Sequence, residues 1–308
     1  MLPEQPGSLG QGQVTVERTR SPPDGLSCHV AILERSLHNS IMERMIQKQV
    51  PVDGSWVSVD IYGNPDDAAI VVIPGAMSDA SAWGEVARGL TAWPTVAVVN
   101  RRGREPSGPL TDGYSLQTEV DDARAAMREF ADPQALFGWS YGGLIALHVA
   151  DTRTIPQVIT YEPVICPFAV HALPDLRLAH EARDWDATVE IATLRISGMD
   201  ATLVESLRAD HTVWAGLRRL SEPLHAETAA INGAPPPARL ATKAGRIDLI
   251  VGELDRGRPP YGTSFDDVSR TVPRAAVHEL HGQGHLAHLN APTALAALVN
   301  SLGTAPSS

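Results

Sequence analysis

Cysteine is almost missing from this chain: its 308 residues include two, Cys28 and Cys166. They lie far apart and no C-x-x-C occurs, so neither a disulfide framework nor a thiolate zinc site is suggested. Positive charge is also short. Lys and Arg number 25 against 36 Asp and Glu, a formal net charge of −11. An acidic surface argues against nucleic acid or an anionic membrane as the main partner. No apolar run approaches the ~20 residues of a membrane-spanning helix. The first residues carry Pro3, Glu4, Pro6, Glu17 and Arg18 where a secretory signal needs a continuous apolar core, so the expected location is the cytoplasm. There is no internal repeat. No G-x-x-x-x-G-K phosphate cradle is present, so no nucleotide or other cofactor is expected. His281, His285 and His288 lie close in sequence, but Gly282 and Gly284 interrupt any helix that would align them. No nearby acidic or thiolate ligand completes a set, so no metal is expected either.

What the chain does have is Gly138-Trp139-Ser140-Tyr141-Gly142, followed at once by Gly143. An apolar run, Ala135-Leu136-Phe137, precedes it, and the helix-like run Leu144 to Ala150 follows. That is strand, sharp turn, helix. A serine at the tip of such a turn faces open space, and small residues are needed on both sides where strand and helix converge. The helix N-terminus offers free N–H groups to a developing oxyanion. A serine hydroxyl is a poor nucleophile until a base takes its proton. The segment Ile247 to Glu253 reads as a buried strand that delivers Asp255 beyond its end. A last strand, Ala275 to Leu280, is followed by His281-Gly282-Gln283-Gly284-His285, which places His285 in a Gly-flanked loop. Serine, acid and histidine therefore fall in order, each just past a strand. Glu162, just past the strand at 157–161, is a rival to Asp255 for the role of the acid.

On these motifs the chain resembles the α/β-hydrolase family over roughly residues 46 to 303. The resemblance implies catalytic Ser140, His285 and Asp255, with Asp255 preferred to Glu162 because it occupies the usual position. It also implies an oxyanion hole from the backbone amides of Ala76 and Tyr141. Ala76 lies in Pro74-Gly75-Ala76-Met77 after the strand Ile70 to Ile73, with Trp83 at the usual aromatic position. Pro74 replaces the family's histidine, a change of little consequence because the donor is a backbone N–H. After the strand Val96 to Val99 the family's Asp-x-Arg-Gly-x-Gly appears as Asn100-Arg101-Arg102-Gly103-Arg104-Glu105. Arg102 reads there as a structural ion-pair residue.

The body alternates strand and helix. Strands are expected near 46–51, 55–61, 69–73, 95–99, 134–138, 157–161, 246–251 and 275–280, and helices near 80–91, 115–130, 141–150, 264–271 and 292–301. The first two strands form a hairpin around Asp53-Gly54. The fold class is α/β: a mostly parallel sheet with helices on both faces. Residues 45–163 and 241–303 form this core. Residues 164–240 break the rhythm with helical patterns at 187–196, 201–209, 213–220 and 224–231, closed by Pro235-Pro236-Pro237. In the family such an insertion is a helical cap over the active site. Trp185, Met199, Leu203, Trp214, Leu217 and Leu224 are its candidate pocket residues, though helical spacing makes most of them cap core. Trp139 either walls the pocket or packs beneath the elbow.

The expected chemistry is hydrolysis of a small to medium carboxylic ester or lactone through an acyl-enzyme, with a small-molecule substrate as partner. The alternatives are a thioesterase, a non-hydrolytic lyase or cyclase of specialised metabolism, and a ligand-binding receptor with weak hydrolysis. Residues 1–44 read as an N-terminal arm, rich in Pro, Gly, Ser and Gln to about residue 26, and 304–308 as a tail. Val30, Leu33, Leu37 and Ile41 recur at helical spacing, an amphipathic element that leaves a homodimer open. A chain beginning at Met42 or Met45 should fold and keep full ester turnover, because the hydrophobic body begins near Ile46. Loss of turnover together with a changed gel-filtration size would instead make the segment around Leu33 and Leu37 an assembly element.

Overall fold

The sheet is built around strands that are apolar on both faces. The computed structural model describes residues 45–233, 235–272 and 274–303. The expected arm at 1–44 and tail at 304–308, with the amphipathic segment and Cys28, lie outside the described residues. Eight strands are present: β1 Met45–Val52, β2 Ser55–Tyr62, β3 Ala68–Ile73, β4 Thr95–Asn100, β5 Asp132–Trp139, β6 Ile155–Tyr161, β7 Ala244–Gly252 and β8 Ala276–Leu280. They form one sheet in the order β1-β2-β4-β3-β5-β6-β7-β8. β2 pairs antiparallel with β1 and β4, and every other pairing is parallel. Val52 opposes Ser55, which leaves a two-residue turn at Asp53-Gly54, and Gly54 supplies its positive φ of 65°.

Alternation within the central strands divides the core in two. Val71, Ile73, Ala97, Val99 and Leu136 share one apolar cluster. Their neighbours Ile70, Val72, Val96, Val98 and Phe137 share the other. This is the two-residue period of a strand buried on both sides. Helices cover each face: α1 Gly84–Gly89, α2 Leu116–Met127 and α3 Tyr141–Thr152 lie between β3 and β6. Val120 and Met127 of α2 and Leu144 and Leu147 of α3 pack on the first cluster, Val86 and Ala87 of α1 on the second. Ser115 starts α2 through a capping box with Thr118.

Between β6 and β7 come α4 Leu173–Ala182, α5 Trp185–Glu190, a π-helical stretch Ile191–Ile196, α6 Ala201–Ala209, α7 His211–Ser221 and α8 Leu224–Ile231. The Asp200 and Asp210 carboxylates accept the first free N–H groups of α6 and α7. The sequence pattern misses α4. The expected helical patterns begin only at 187; Pro174 sits in the first turn of α4, where a missing N–H costs nothing. The helix expected at 80–91 is a 3-10 turn, Ala80–Trp83, running into α1. After β7, α9 Tyr261–Thr271, the short α10 Ala287–Asn290 and α11 Pro292–Gly303 complete the chain. No helix among the described residues is long and apolar enough to cross a membrane.

The order β4-β3-β5 reverses the direction in which strands are added, and it brings the carboxyl ends of β3 and β5 side by side. Such a switch point opens a crevice beyond the strand ends. The loops that enter it carry Ala76, Ser140, Glu162, Asp255 and His285.

Candidate active site

Ser140 sits between β5 and α3 with φ 56° and ψ −121°, a conformation that side chains rarely adopt. Such a residue costs roughly 1–3 kcal/mol and persists only where its surroundings over-determine it. Here its N–H donates to the Tyr161 carbonyl at 3.0 Å, and its own carbonyl accepts from Gly143 at 2.9 Å and from Leu144 and Val164 at 3.3 Å. Gly142 is required because a Cβ there would collide with the Ile73 carbonyl of β3. Gly75 is required because its Cβ would lie 2.8 Å from the Cβ of Ser140. The loop after β3 is thus pressed against the elbow. Ala76 and Tyr141 flank Ser140 in one cavity. Tyr141 opens α3, so its N–H has no i−4 carbonyl within the helix.

His285 reaches the same cavity. Trp139 Nε1 donates to the His285 carbonyl at 2.8 Å, and the Tyr161 hydroxyl donates to that of Gly284. These bonds pin the histidine loop across the ends of β5 and β6. The imidazole lies between two rings: Tyr261 is stacked on it, centroids 3.4 Å apart, and Trp139 is tilted at 4.8 Å. The Tyr261 hydroxyl is 2.8 Å from Ser197 Oγ. Ser140 Oγ makes no hydrogen bond to the imidazole among the described residues, and in ligand-free sites that contact commonly closes only with substrate.

The acid facing the imidazole is Glu162, which corrects the expectation of Asp255. His285 Nδ1 is 2.6 Å from Glu162 Oε2, and Glu162 Oε1 accepts the Gly252 N–H at 2.8 Å. Asp255 stands one place back: its buried Oδ2 has no hydrogen-bond partner. The reason is reach. Glu162 leaves β6, the immediate neighbour of β5, with a positive φ of 44° that turns it inward, and its extra methylene spans the gap. Burial pushes the Glu162 carboxyl up to about 7, against the Gly252 N–H and a hydrogen bond with Asp255. Burial, and then the charge of Glu162, raise Asp255 above the usual carboxylate range. Burial holds His285 far below its ordinary value, so the imidazole alone favours the neutral form a base needs.

The cavity measures about 410 Å³. No charged side chain lines it; Met77, Phe168, Ile196 and Leu286 are typical of its wall. Of the six residues expected to line it, Met199, Leu203, Leu217 and Leu224 do so. Trp214 instead packs with Val189 and Val204, and its Nε1 donates to Asp186 at 2.6 Å. Trp185 stacks edge-on against His180, away from this cavity. Trp139 does both things the sequence left open, walling the cavity and packing on Trp83 below it. His288 is buried flat against Trp83, with centroids 4.7 Å apart. His281 points to solvent, where folding adds Glu253 to its sequence neighbour Glu279, the three offering ligand atoms within 4.8 Å of one another. Both carboxylates are already engaged, by the Gly282 N–H and Arg256 respectively. Arg102 is paired with Asp122 through Nε and Nη2, the structural role expected of it. The residues that sequence reasoning missed are Tyr261 and Arg101, neither of which belongs to a recognisable local motif.

Comparison with known proteins bears on the family and the fold. An uncharacterized hydrolase, YraK, of Bacillus subtilis (strain 168) is 30% identical over 122 residues, 38% of this chain and 44% of that protein. The chain therefore matches less than half the length of that relative. An alpha/beta hydrolase from Sphaerobacter thermophilus DSM 20745 superposes with a TM-score of 0.68 at 24% identity, covering 83% of this chain and all of that one. The enol-lactonase from Burkholderia xenovorans LB400 gives 0.65 at 18%, covering 84% of this chain and 100% of that one. Residues 70–298 match the family described as the alpha/beta hydrolase family, and the chain belongs to it.

Proposed function

We propose that this protein hydrolyses a neutral, largely apolar carboxylic ester or lactone of small to medium size through an acyl-enzyme on Ser140. The observation that carries the reading is the meeting of a backbone-strained serine and a buried, carboxylate-bound histidine in one uncharged cavity. Ser140 Oγ attacks the carbonyl carbon as His285 Nε2 takes its proton. The amides of Ala76 and Tyr141 receive the developing oxyanion, and residues 164–240 act as the cap that encloses the acyl or alcohol group. His285 then protonates the leaving oxygen, and a water molecule deprotonated by His285 releases the acid. Glu162 orients the imidazole and stabilises its charged form; Asp255 supports Glu162. The apolar wall would strip water from the ester and offers no counter-charge to an anionic group.

Ser140 should be the only serine labelled rapidly by a fluorophosphonate. Ser140→Ala should abolish labelling and lower turnover by roughly 10⁴-fold or more. Product from ¹⁸O-water should carry one label in the acid; unlabelled product would exclude hydrolysis in favour of a lyase or cyclase. A stoichiometric adduct on the Ala variant, read by intact mass, would remove Ser140 from the mechanism.

The two acids should separate kinetically. Glu162→Gln should depress kcat by about 10⁴-fold with KM nearly unchanged, the signature of a lost orienting acid. Asp255→Asn should stay within about tenfold, since it is Glu162 that holds Nδ1 of the imidazole, while Asp255 acts on it only through its charge. The reverse order would return the acid's role to Asp255.

Burial pushes the Glu162 carboxyl up to about 7, and a proton taken up there is shared with His285 through their 2.6 Å hydrogen bond. With that proton on either atom, His285 can no longer accept one from Ser140. Activity therefore belongs above this value, and kcat/KM should fall on the acid side. A kcat/KM profile flat down to about pH 5 on folded protein would mean that another group is the base.

A further inference from the structure

Three arginines follow β4 within four residues, and Arg101, Arg102 and Arg104 are all buried. Burying a guanidinium is expensive unless each N–H finds a partner. Arg102 spends its fork on Asp122, and Arg104 spends Nη1 and Nη2 on the two oxygens of Glu227, at 2.7 and 2.8 Å. Arg101 is used differently. Its Nη1 donates to Glu119 Oε1 at 2.7 Å, and Nη2 lies 2.7 Å from Glu227 Oε1. Its remaining capacity goes to backbone: Nε donates to the Pro74 carbonyl at 2.9 Å and Nη2 to the Gly75 carbonyl at 2.8 Å.

Those two carbonyls belong to the loop after β3 that leans on Ser140. A trans peptide is planar, so its C=O and N–H point in opposite directions. The Gly75 carbonyl shares a peptide with the Ala76 N–H. Gripping the first from behind directs the second away from Arg101 and into the cavity that Ala76 lines. A cationic donor on the carbonyl also polarises the amide and strengthens its N–H as a donor. The same guanidinium lies over the Tyr141 ring, 5.1 Å from its centroid. Arg101 thus grips the peptide that carries the Ala76 N–H and lies over the ring of Tyr141, the two residues whose amides would receive the oxyanion.

The geometry points to Arg101 as the positioning residue of the oxyanion hole: its fork locks the Gly75–Ala76 peptide, and Glu119 and Glu227 hold the fork in place. This rests on the acyl-transfer reading of Ser140. Glu119 comes from α2, where the Tyr114 hydroxyl also donates to it at 2.6 Å. Glu227 comes from α8, so the inserted helices and the oxyanion loop share one buried charge cluster. Lysine cannot replace this arginine, because a single ammonium cannot hold two carbonyls and two carboxylates in one plane.

The test compares Arg101→Lys, Glu119→Gln and Arg104→Lys with wild type on p-nitrophenyl butyrate, after circular dichroism has shown each to be folded. Phenylboronic acid serves as the probe of the hole, since its tetrahedral adduct on serine places an oxygen where the oxyanion forms. Arg101→Lys should lower kcat by about 10²- to 10³-fold, the range for a lost oxyanion donor, with KM within threefold. Its affinity for phenylboronic acid should fall in parallel, while the acid limb of the pH profile stays in place because His285 and Glu162 are untouched. Glu119→Gln frees one arm of the fork and should show the same pattern at about tenfold, which keeps the inference testable if Arg101→Lys does not fold. Arg104→Lys disturbs the same cluster without touching the loop and should leave kcat within about threefold. Unchanged kcat and boronate affinity in folded Arg101→Lys, or in Glu119→Gln when that is the folded variant, overturns the assignment. So does an equal loss in Arg104→Lys, which would trace the effect to unseated buried charge. A wild-type protein that takes no fluorophosphonate on Ser140 sinks the acyl-transfer reading and this one with it. A wild-type protein that does react, beside an Arg101→Lys variant that reacts as fast, sinks only the role of Arg101.

Discussion

The positive φ of Ser140 is the constraint on which the rest of the site depends. A backbone turned that way lifts Oγ off the end of β5 and starts α3 at once, with the first amides of the helix beside the hydroxyl. It is tolerable only on a rigid floor. β5 is an interior strand, paired on both sides by β3 and β6. The Tyr161 carbonyl of β6 and the N–H groups of Gly143, Leu144 and Val164 saturate the peptide groups of Ser140. Each clamp has its own requirement. Gly142 must clear the Ile73 carbonyl, and Gly75 must let the neighbouring loop close on Ser140. Met77 in that loop and Glu162 after β6 also adopt positive φ, at 56° and 44°. Met77 and Ser140 line the cavity and Glu162 holds the histidine that reaches it, and such a site is where stored backbone strain usually accompanies function.

Charge is arranged around the cavity rather than in it. On one side Glu162 holds His285 in a buried hydrogen bond, with Asp255 half-buried nearby. On the other, Arg101 and Arg104 balance Glu119 and Glu227. Buried ion pairs of this kind add little net stability, since desolvation offsets most of the Coulomb gain. Their worth lies in orientation: a guanidinium or carboxylate held at several atoms cannot rotate, and neither can what it holds. Between the two sets the wall is uncharged, so the field of both acts through a low-dielectric space where oriented dipoles have most effect.

Much of this architecture was legible in the sequence because it is local. All eight strands were expected near where they are found; for central strands such as β3 and β4 the reason is that strands buried on both faces read as unbroken apolar runs. The elbow was legible because its motif is contiguous and set between an apolar strand and a helix, even though Gly142 and Gly143 answer to Ile73 and Pro163, distant in sequence. α4 was not: helical patterns were expected only from 187, and Pro174 breaks a helix in its middle but not in its first turn. The division of the first expected helix at Trp83 was not either, since apolar periodicity is too coarse to distinguish one 3-10 turn from α.

The sequence by itself determined the setting of Ser140, the order of the strands' cargo and the histidine that could reach it, because each depends on short-range rules of turn and strand. Only the tertiary structure decided between the acids. Glu162 and His285 are 123 residues apart, and which carboxylate meets Nδ1 depends on the twist of neighbouring strands and on one methylene of reach. The same holds for Arg101. Nothing near it in sequence distinguishes it from Arg102, whose position matches the family motif. Its grip on Pro74 and Gly75 arises because β4 lies beside β3, a pairing made by hydrogen bonds between backbones that no side-chain pattern encodes.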